Sequence, residues 1–413
     1  MNARADNGLF RWRHACERAA LMCAVACAIA IALPTFWLSL ASAAFVLCWL
    51  AAAPWPQTRV LLAHNRWAQA ALALSLWLLL SACWSPLPWE QALRAVWPYR
   101  KLLLLIALMA ILRDPKWGWR MLYGFLGGFA LLLGLSYAQA LGFAPPNRWH
   151  TPSGYTSHIA YSTMLAFVTW ATVWLASAEP RRRRLWLGYA AAAATNLFFI
   201  NTGRTGQAVF LLLLLLHAAH AFYQRWRWRG IGLTALLGAS LAALLFVSSP
   251  TFRARTVEGL GDIERAQAGE VNTSLAYRLD FWRNTVELAQ THPWLGGGIG
   301  SYAPEYATLA ARHGWIGARV SHNPHSEYLL IWHQSGAIGL ALLLLLGWAH
   351  ARENRRLSPP VSQIAQGFLI LVGVAALFNS ILYDHQDGHF YVIIAAALWS
   401  AGRSSPASRH PVP

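Results

Sequence analysis

The chain has 413 residues, 57% hydrophobic and 12% charged, with a formal net charge of +17. Soluble domains carry about a quarter charged residues, and the mean hydropathy here is positive, at +0.37. These values exclude a large soluble core and point to a polytopic membrane protein.

A span needs roughly 20 apolar residues. Twelve stretches read as spans: 19–33, 36–53, 67–83, 101–112, 121–142, 159–178, 185–200, 206–223, 231–248, 328–349, 363–382 and 389–402, the fourth and twelfth being short. The expected fold is therefore all-α and polytopic, with about twelve transmembrane helices. Residues 1–249 hold nine of them, 250–327 form one long polar loop, 328–402 hold the last three, and 403–413 read as a disordered tail with three prolines. The first span follows a basic, Trp-containing segment with no small-residue cleavage site, and reads as a retained anchor. No internal repeat is evident.

The positive charge looks at first like a nucleic-acid signal. With the N-terminus in the cytoplasm, however, the cytoplasmic side carries 21 of the 33 basic residues and five of the 16 acids, a net of +16, against +1 on the other side. The charge is topogenic, as the positive-inside rule expects. Both termini are then cytoplasmic, the long loop faces out, and no nucleic-acid partner is implied. Tryptophans such as Trp55, Trp84, Trp149, Trp226 and Trp228 sit near span ends, where indole rings favour the headgroup level. The five cysteines (16, 23, 27, 48 and 83) lie in or beside the first three spans, so the loop has no crosslinks.

Ahead of the loop, Asn201-Thr202-Gly203-Arg204-Thr205-Gly206 forms a tight outer turn. Arg204 can snorkel to lipid phosphate or serve as an anion ligand. Within the loop, Leu275, Leu279, Trp282, Val286 and Ala289 recur at spacings that place them on one face of an amphipathic helix. Asn272, Thr273 and Ser274 are its N-cap candidates. Pro293 and the glycine run 296–300 end it. That run reads as a flexible turn rather than an anion nest, and it lacks the Gly-Lys-Ser/Thr of a nucleotide loop. Arg278, beside the stripe, can pair with Asp280 or Glu287, or bind an anion through its planar fork. Asn323-Pro324 then predicts a helix start, with Asn323 as cap and His325 in the first turn. The positive end of a helix would favour a neutral imidazole there, able to act as a base. An interfacial histidine beside a cap is the plainer reading.

His325-Ser326, nine residues, Gly336, two residues and Gly339 resemble the signature of bacterial O-antigen ligases, which join O-antigen to the lipid A core. The superfamily also holds O-antigen polymerases and some protein O-oligosaccharyltransferases. Twelve spans, cytoplasmic termini and a large outer loop after the ninth span fit the same resemblance. It implies His325 as the catalytic base and Arg204 and Arg278 as diphosphate ligands. The superfamily has an Arg in a Gly-flanked turn, and an Arg, then a Trp, ahead of a Pro and a Gly-rich turn: here Arg278, Trp282, Pro293 and Gly296 to Gly300, with Arg283 a second choice. His322, Asn323, Tyr328, Asp384 and Asp387 are further candidates. The turn Tyr383 to His389 could bind a divalent metal or be a polar hairpin. No outer loop has an Asp-x-Asp, and His322 with His325 lacks a third ligand for zinc, so no metal or cofactor is expected. The implied donor is O-antigen on undecaprenyl diphosphate, the acceptor lipid A-core, and the place the periplasmic face of the bacterial inner membrane. A transporter remains the rival of another class, kept open by Asn196 and Asn379 within spans. Its weakness is that the charged groups gather at the membrane faces rather than mid-span.

Overall fold

A computed structural model of the chain describes residues 2–267 and 273–403. Asn272, one of the cap candidates, and the tail from 404 onward lie outside these residues.

Among the described residues there is no strand, and seventeen α-helices follow one another. Pro34 separates α1 (Asn2–Ala30) from α2 (Thr35–Ala52). After α3 (Trp55–His64), Asn65 caps α4 (Arg66–Leu80) by accepting the Ala68 N–H at 2.9 Å. Then come α5 (Trp89–Val96), α6 (Lys101–Ile111) and α7 (Pro115–Ala140), with proline at its first position. Ser157 caps α8 (His158–Ala178), and α9 (Arg183–Thr195) runs on into a π turn, Asn196–Ile200. Next are α10 (Arg204–Trp226) and α11 (Trp228–Ser248).

Where one loop helix was expected, three form: α12 (Pro250–Gln267), α13 (Ser274–Ala289) and α14 (Tyr302–Arg312). Gly259 and Gly261 weaken the helical signal of α12, but Ser249 Oγ accepts the Phe252 N–H at 3.0 Å and Pro250 opens the first turn. The chain ends with α15 (Glu327–Asn354), α16 (Val361–Phe378) and α17 (His385–Ala401).

Among the described residues eight helices, α2, α4, α7, α8, α10, α11, α15 and α16, are long and apolar enough to cross a membrane. The protein is an all-α polytopic membrane protein. The other four expected spans fall on α1, α6, α9 and α17, which are outside that set. For α6 and α17 the shortness has a physical counterpart. Both are buried on nearly every side, and a helix apolar all round is what an interior position requires.

The chain divides into two compact units: residues 1–131, 284–366 and 380–413 form unit one, and 132–283 with 367–379 form unit two. In unit one α4 packs along α15, where Trp67 stacks on His350 with ring centroids 4.1 Å apart. In unit two α8 is the central helix, packed by α9 and α10. Phe167 meets Phe368 edge-on at 4.9 Å, and Gly367 leaves room for the Trp170 indole.

The buried face of α13 differs from the expected stripe. Ala276, Phe281, Asn284, Thr285 and Ala289 are buried, whereas Leu279 is 43% exposed. The face turns because polar groups on it find partners: Asn284 Nδ2 donates to the Tyr306 hydroxyl at 3.1 Å and Thr285 Oγ1 to the Tyr302 hydroxyl at 3.4 Å. Satisfied polar groups can be buried at little cost. Thr273 supplies the cap, accepting the Ala276 N–H at 3.3 Å.

Candidate active site

In unit one, His325 does not lie in the first turn of a helix. α15 begins two residues later, at Glu327, with Ser326 in the cap position. The Asn323 carboxamide is taken up elsewhere: its Oδ1 accepts the His325 N–H at 2.8 Å, which folds residues 323–325 into a tight Asx turn. The same oxygen accepts from Ser380 Oγ at 2.7 Å, and Asn323 N–H donates to Ser321 Oγ at 3.2 Å. His325 sits at φ +53°, in the left-handed region, and is exposed. His322 is exposed in the bend before it, and Tyr328 is half-buried in the first turn of α15.

Glu327 anchors this hairpin. Its carboxylate is buried and accepts the N–H of Leu382 at 2.8 Å and of Tyr383 at 3.4 Å. With the Asn323–Ser380 bond, it ties the His325 loop to the chain ahead of α17. Lys101, buried at the start of α6, donates to the Asp384 carbonyl. The 383–389 stretch is not a polar hairpin: α17 starts at His385, and Asp384 is its N-cap, accepting from Gln386 and Asp387 N–H at 2.9 and 3.1 Å. Asp387 is buried inside the helix, with one oxygen lacking a hydrogen-bond partner among the described residues. Among the described residues no group of three or more His, Cys, Asp or Glu side chains could hold a metal ion.

The glycines of the motif have a different task from the histidine. Gly336 interrupts α15 at φ +68°, ψ −172°, a conformation nearly restricted to glycine. Into the break goes the loop after α13. Ala337 N–H donates to the Pro293 carbonyl at 2.8 Å and Ile338 N–H to the Trp294 carbonyl at 3.4 Å, while Gly297 N–H takes the freed His333 carbonyl at 2.9 Å. Two segments thus exchange backbone hydrogen bonds, which supply partners for groups that the break in the helix frees. A Cβ on Gly296 would lie 2.5 Å from the backbone of residues 334–336, and one on Gly339 would lie 1.9 Å from Ser335 Oγ.

The run 296–300 is therefore neither a flexible turn nor an anion nest. Its amides at 296, 297, 299 and 300 bond to His292, His333 and Ser81 carbonyls and to Gln334 Oε1. Beside it, His333 Nε2 is 3.0 Å from Glu305 Oε2.

In unit two, Arg204 is the first residue of α10, not a turn residue. A Cβ on Gly203 or Gly206 would strike Ser162 on α8, and Ser162 Oγ accepts the Gly206 N–H at 3.1 Å. This contact fixes the start of α10. The Arg204 guanidinium reaches two carboxylates on α12, Asp262 and Glu258, each at 3.0 Å, and Arg255 holds the other Glu258 oxygen at 2.6 Å.

Arg278 is half-buried on α13, and among the described residues no carboxylate is within ion-pair distance of it, Asp280 and Glu287 included. Burial, and then the positive charge of nearby Arg204, lower its pKa from the ordinary value. Arg204 and Arg278 both lie in unit two, near enough for the charge of one to act on the other, and His322, Asn323, His325, Tyr328, Asp384 and Asp387 lie in unit one, on the hairpin and at the start of α17 that Glu327 and Ser380 tie together. Arg283 is exposed. Sequence reasoning missed Glu327, Lys101, Ser380 and Asp262. The first two carried a signal: each is a charged residue directly at the end of an apolar stretch.

The long apolar helices define a multi-pass membrane protein. A family model described as O-antigen ligase matches residues 189–344, which include Arg204, Arg278, His325, Gly336 and Gly339. A curated O-antigen ligase of Salmonella typhimurium is 27% identical over 204 residues, 48% of this chain and 46% of that protein. The chain thus spans about half the length of the curated relative it matches. Over residues 189–344 the chain is similar to the O-antigen ligase family.

Proposed function

We propose that the protein is an O-antigen ligase that transfers O-antigen from undecaprenyl diphosphate to a hydroxyl of lipid A-core, at the periplasmic face of the bacterial inner membrane. The acceptor hydroxyl oxygen attacks the anomeric carbon. The bond from that carbon to the diphosphate oxygen breaks, and His325 takes the hydroxyl proton. A single displacement inverts the anomeric centre. Arg204 and Arg278 hold the departing diphosphate, whose charge grows as the bond breaks. The glycosyl–diphosphate bond supplies the free energy, and no step calls for a metal ion or ATP.

The observation that carries this reading is the arginine pair. Arg204 is held by Asp262 and Glu258, while nearby Arg278 is half-buried with no carboxylate partner among the described residues; its guanidinium fork is left to take an anion, and that fork suits a diphosphate. An exposed imidazole on a strapped hairpin supports the role of base.

The test uses purified protein in detergent with lipid-linked O-antigen, rough lipopolysaccharide, EDTA and no ATP. Capped lipid is resolved on a gel for wild type and His325→Ala. Capping by the wild type alone supports the proposal. Equal capping by both removes His325 as the base. Lengthening of the donor chain in place of capping would assign a polymerase.

A further inference from the structure

At the end of α15 remote from Glu327, unit one encloses a cavity of about 760 Å³. It is separate from the His325 hairpin, because the 28 residues of α15 put up to about 40 Å of helix between them. Its walls come from α3, the end of α6, the segment after α15 and the end of α17. Ligand sites run from about 300 to 1,000 Å³ and combine apolar walls with a few placed polar groups, and this cavity has that make-up. Leu61, Met109, Leu357 and Trp399 line it, and Arg113, Arg356 and Arg403 stand around it.

Three arginines stand around the cavity against two carboxylates among the described residues, Glu353 in its lining and Glu17 on Arg113, an excess of one positive charge. Glu353 is the single carboxylate in the lining, and it is buried and already held by Asn65 Nδ2 at 3.1 Å and Arg356 at 2.9 Å. Arg113 pairs with Glu17, and Arg403 lies over the Trp399 ring at 4.5 Å. Helix dipoles do not cancel the excess. The C-termini of α3, α6, α15 and α17 end here, but the N-termini of α4, α7 and α16 begin here too, and their partial charges have opposite sign. Arg113 and Arg356 are 53% and 61% exposed, so both can turn toward a ligand. One wall is open: Val60 lines the cavity and is 61% exposed, so the apolar lining runs out onto the outer surface of α3.

We propose that this cavity binds an anionic amphiphile through its phosphate, with the phosphate against Arg356 and Arg403 and an acyl chain leaving along Val60 and Leu61. The ligand chemistry is a phosphate monoester or diester. Its source is a membrane phospholipid or free phosphate, and the experiment separates the two.

Full-length protein in detergent would be incubated with phosphatidylglycerol, phosphatidylethanolamine or inorganic phosphate. Retained lipid would be counted by native mass spectrometry and the melting temperature recorded. The expected result is selective retention of phosphatidylglycerol with a raised melting temperature, and at least about a tenfold loss of that selectivity in Arg356→Gln/Arg403→Gln, since each basic contact with an anionic headgroup contributes severalfold. A melting shift with inorganic phosphate that also competes off the lipid supports the site with the phosphate alone as its determinant. Equal retention of the zwitterionic lipid, or undiminished selectivity in the double variant, overturns the proposal. Val60→Trp narrows the open wall without touching a charge. It should lower retention, and retention at the wild-type level overturns the proposal independently of how the arginine variant folds.

Discussion

Gly336→Ala tests the reading that the glycines of the motif are structural. The new Cβ would lie 2.0 Å from the Trp294 carbonyl oxygen, a backbone atom that cannot swing aside. Forcing an L-residue into the φ +68°, ψ −172° conformation costs on the order of 1–3 kcal/mol. Moving residues 293–297 away sacrifices three exchanged backbone hydrogen bonds, each contributing about 0.5–1.5 kcal/mol. The sum, roughly 3–7 kcal/mol, is a large share of the 5–15 kcal/mol typical of a folded domain.

Gly347→Ala is the control in the same helix. A Cβ there meets nothing within 4 Å, and alanine is favoured over glycine in a helix interior by up to about 1 kcal/mol. The assay is melting of detergent-solubilised protein followed by size-exclusion chromatography, with capping activity measured on the folded fraction. Gly336→Ala should melt far below wild type and Gly347→Ala at or above it. Equal melting of the two variants with full activity in both would falsify the structural account of the motif.

His325→Gly and His325→Ala should both lose capping activity, but the glycine variant should melt higher, because φ +53° costs alanine about 1–2 kcal/mol; alanine melting at or above glycine would contradict the backbone assignment. Glu327→Ala strips the acceptor from the Leu382 and Tyr383 amides, at about 1–3 kcal/mol for each buried donor, whereas Glu327→Gln keeps an acceptor oxygen. The alanine variant should therefore melt well below the glutamine variant, and coincident melting curves would remove Glu327 as an anchor. Asp262→Asn weakens the hold on Arg204, so the KM for the lipid-linked donor should fall severalfold in an otherwise wild-type chain and stay unchanged in an Arg204→Ala background. A fall of the same size in both backgrounds would show that Asp262 does not act through Arg204.

Helices inside long apolar runs were legible because span length and hydropathy are strong, local signals. The start of α15 was not, because two local readings of Asn323 compete: a cap for a helix opening at Pro324, or an Asx turn to His325. The turn wins because Ser380, 57 residues away, binds the same oxygen, and no local pattern reports that contact. Lys101 and Glu327 were visible as charges but resembled ordinary span flanks; only burial reveals them as internal anchors. The stripe on α13 was misplaced for a related reason, since Asn284 and Thr285 count as polar until Tyr302 and Tyr306 are seen to satisfy them. The three site residues of the resemblance, Arg204, Arg278 and His325, were legible only as a motif.

The exchange of hydrogen bonds between 293–297 and 333–338 governs where this chain can change length. A residue added or lost in either stretch shifts the register of both, and no nearby slack absorbs it. Slack exists further on: Gly314 and Gly317 bound a segment where an added Cβ meets nothing within 4 Å. The stretch between α14 and the His325 hairpin is therefore expected to tolerate insertions that the seam does not. A deletion scan read by folded yield would map this division between a rigid seam and an adjustable rim.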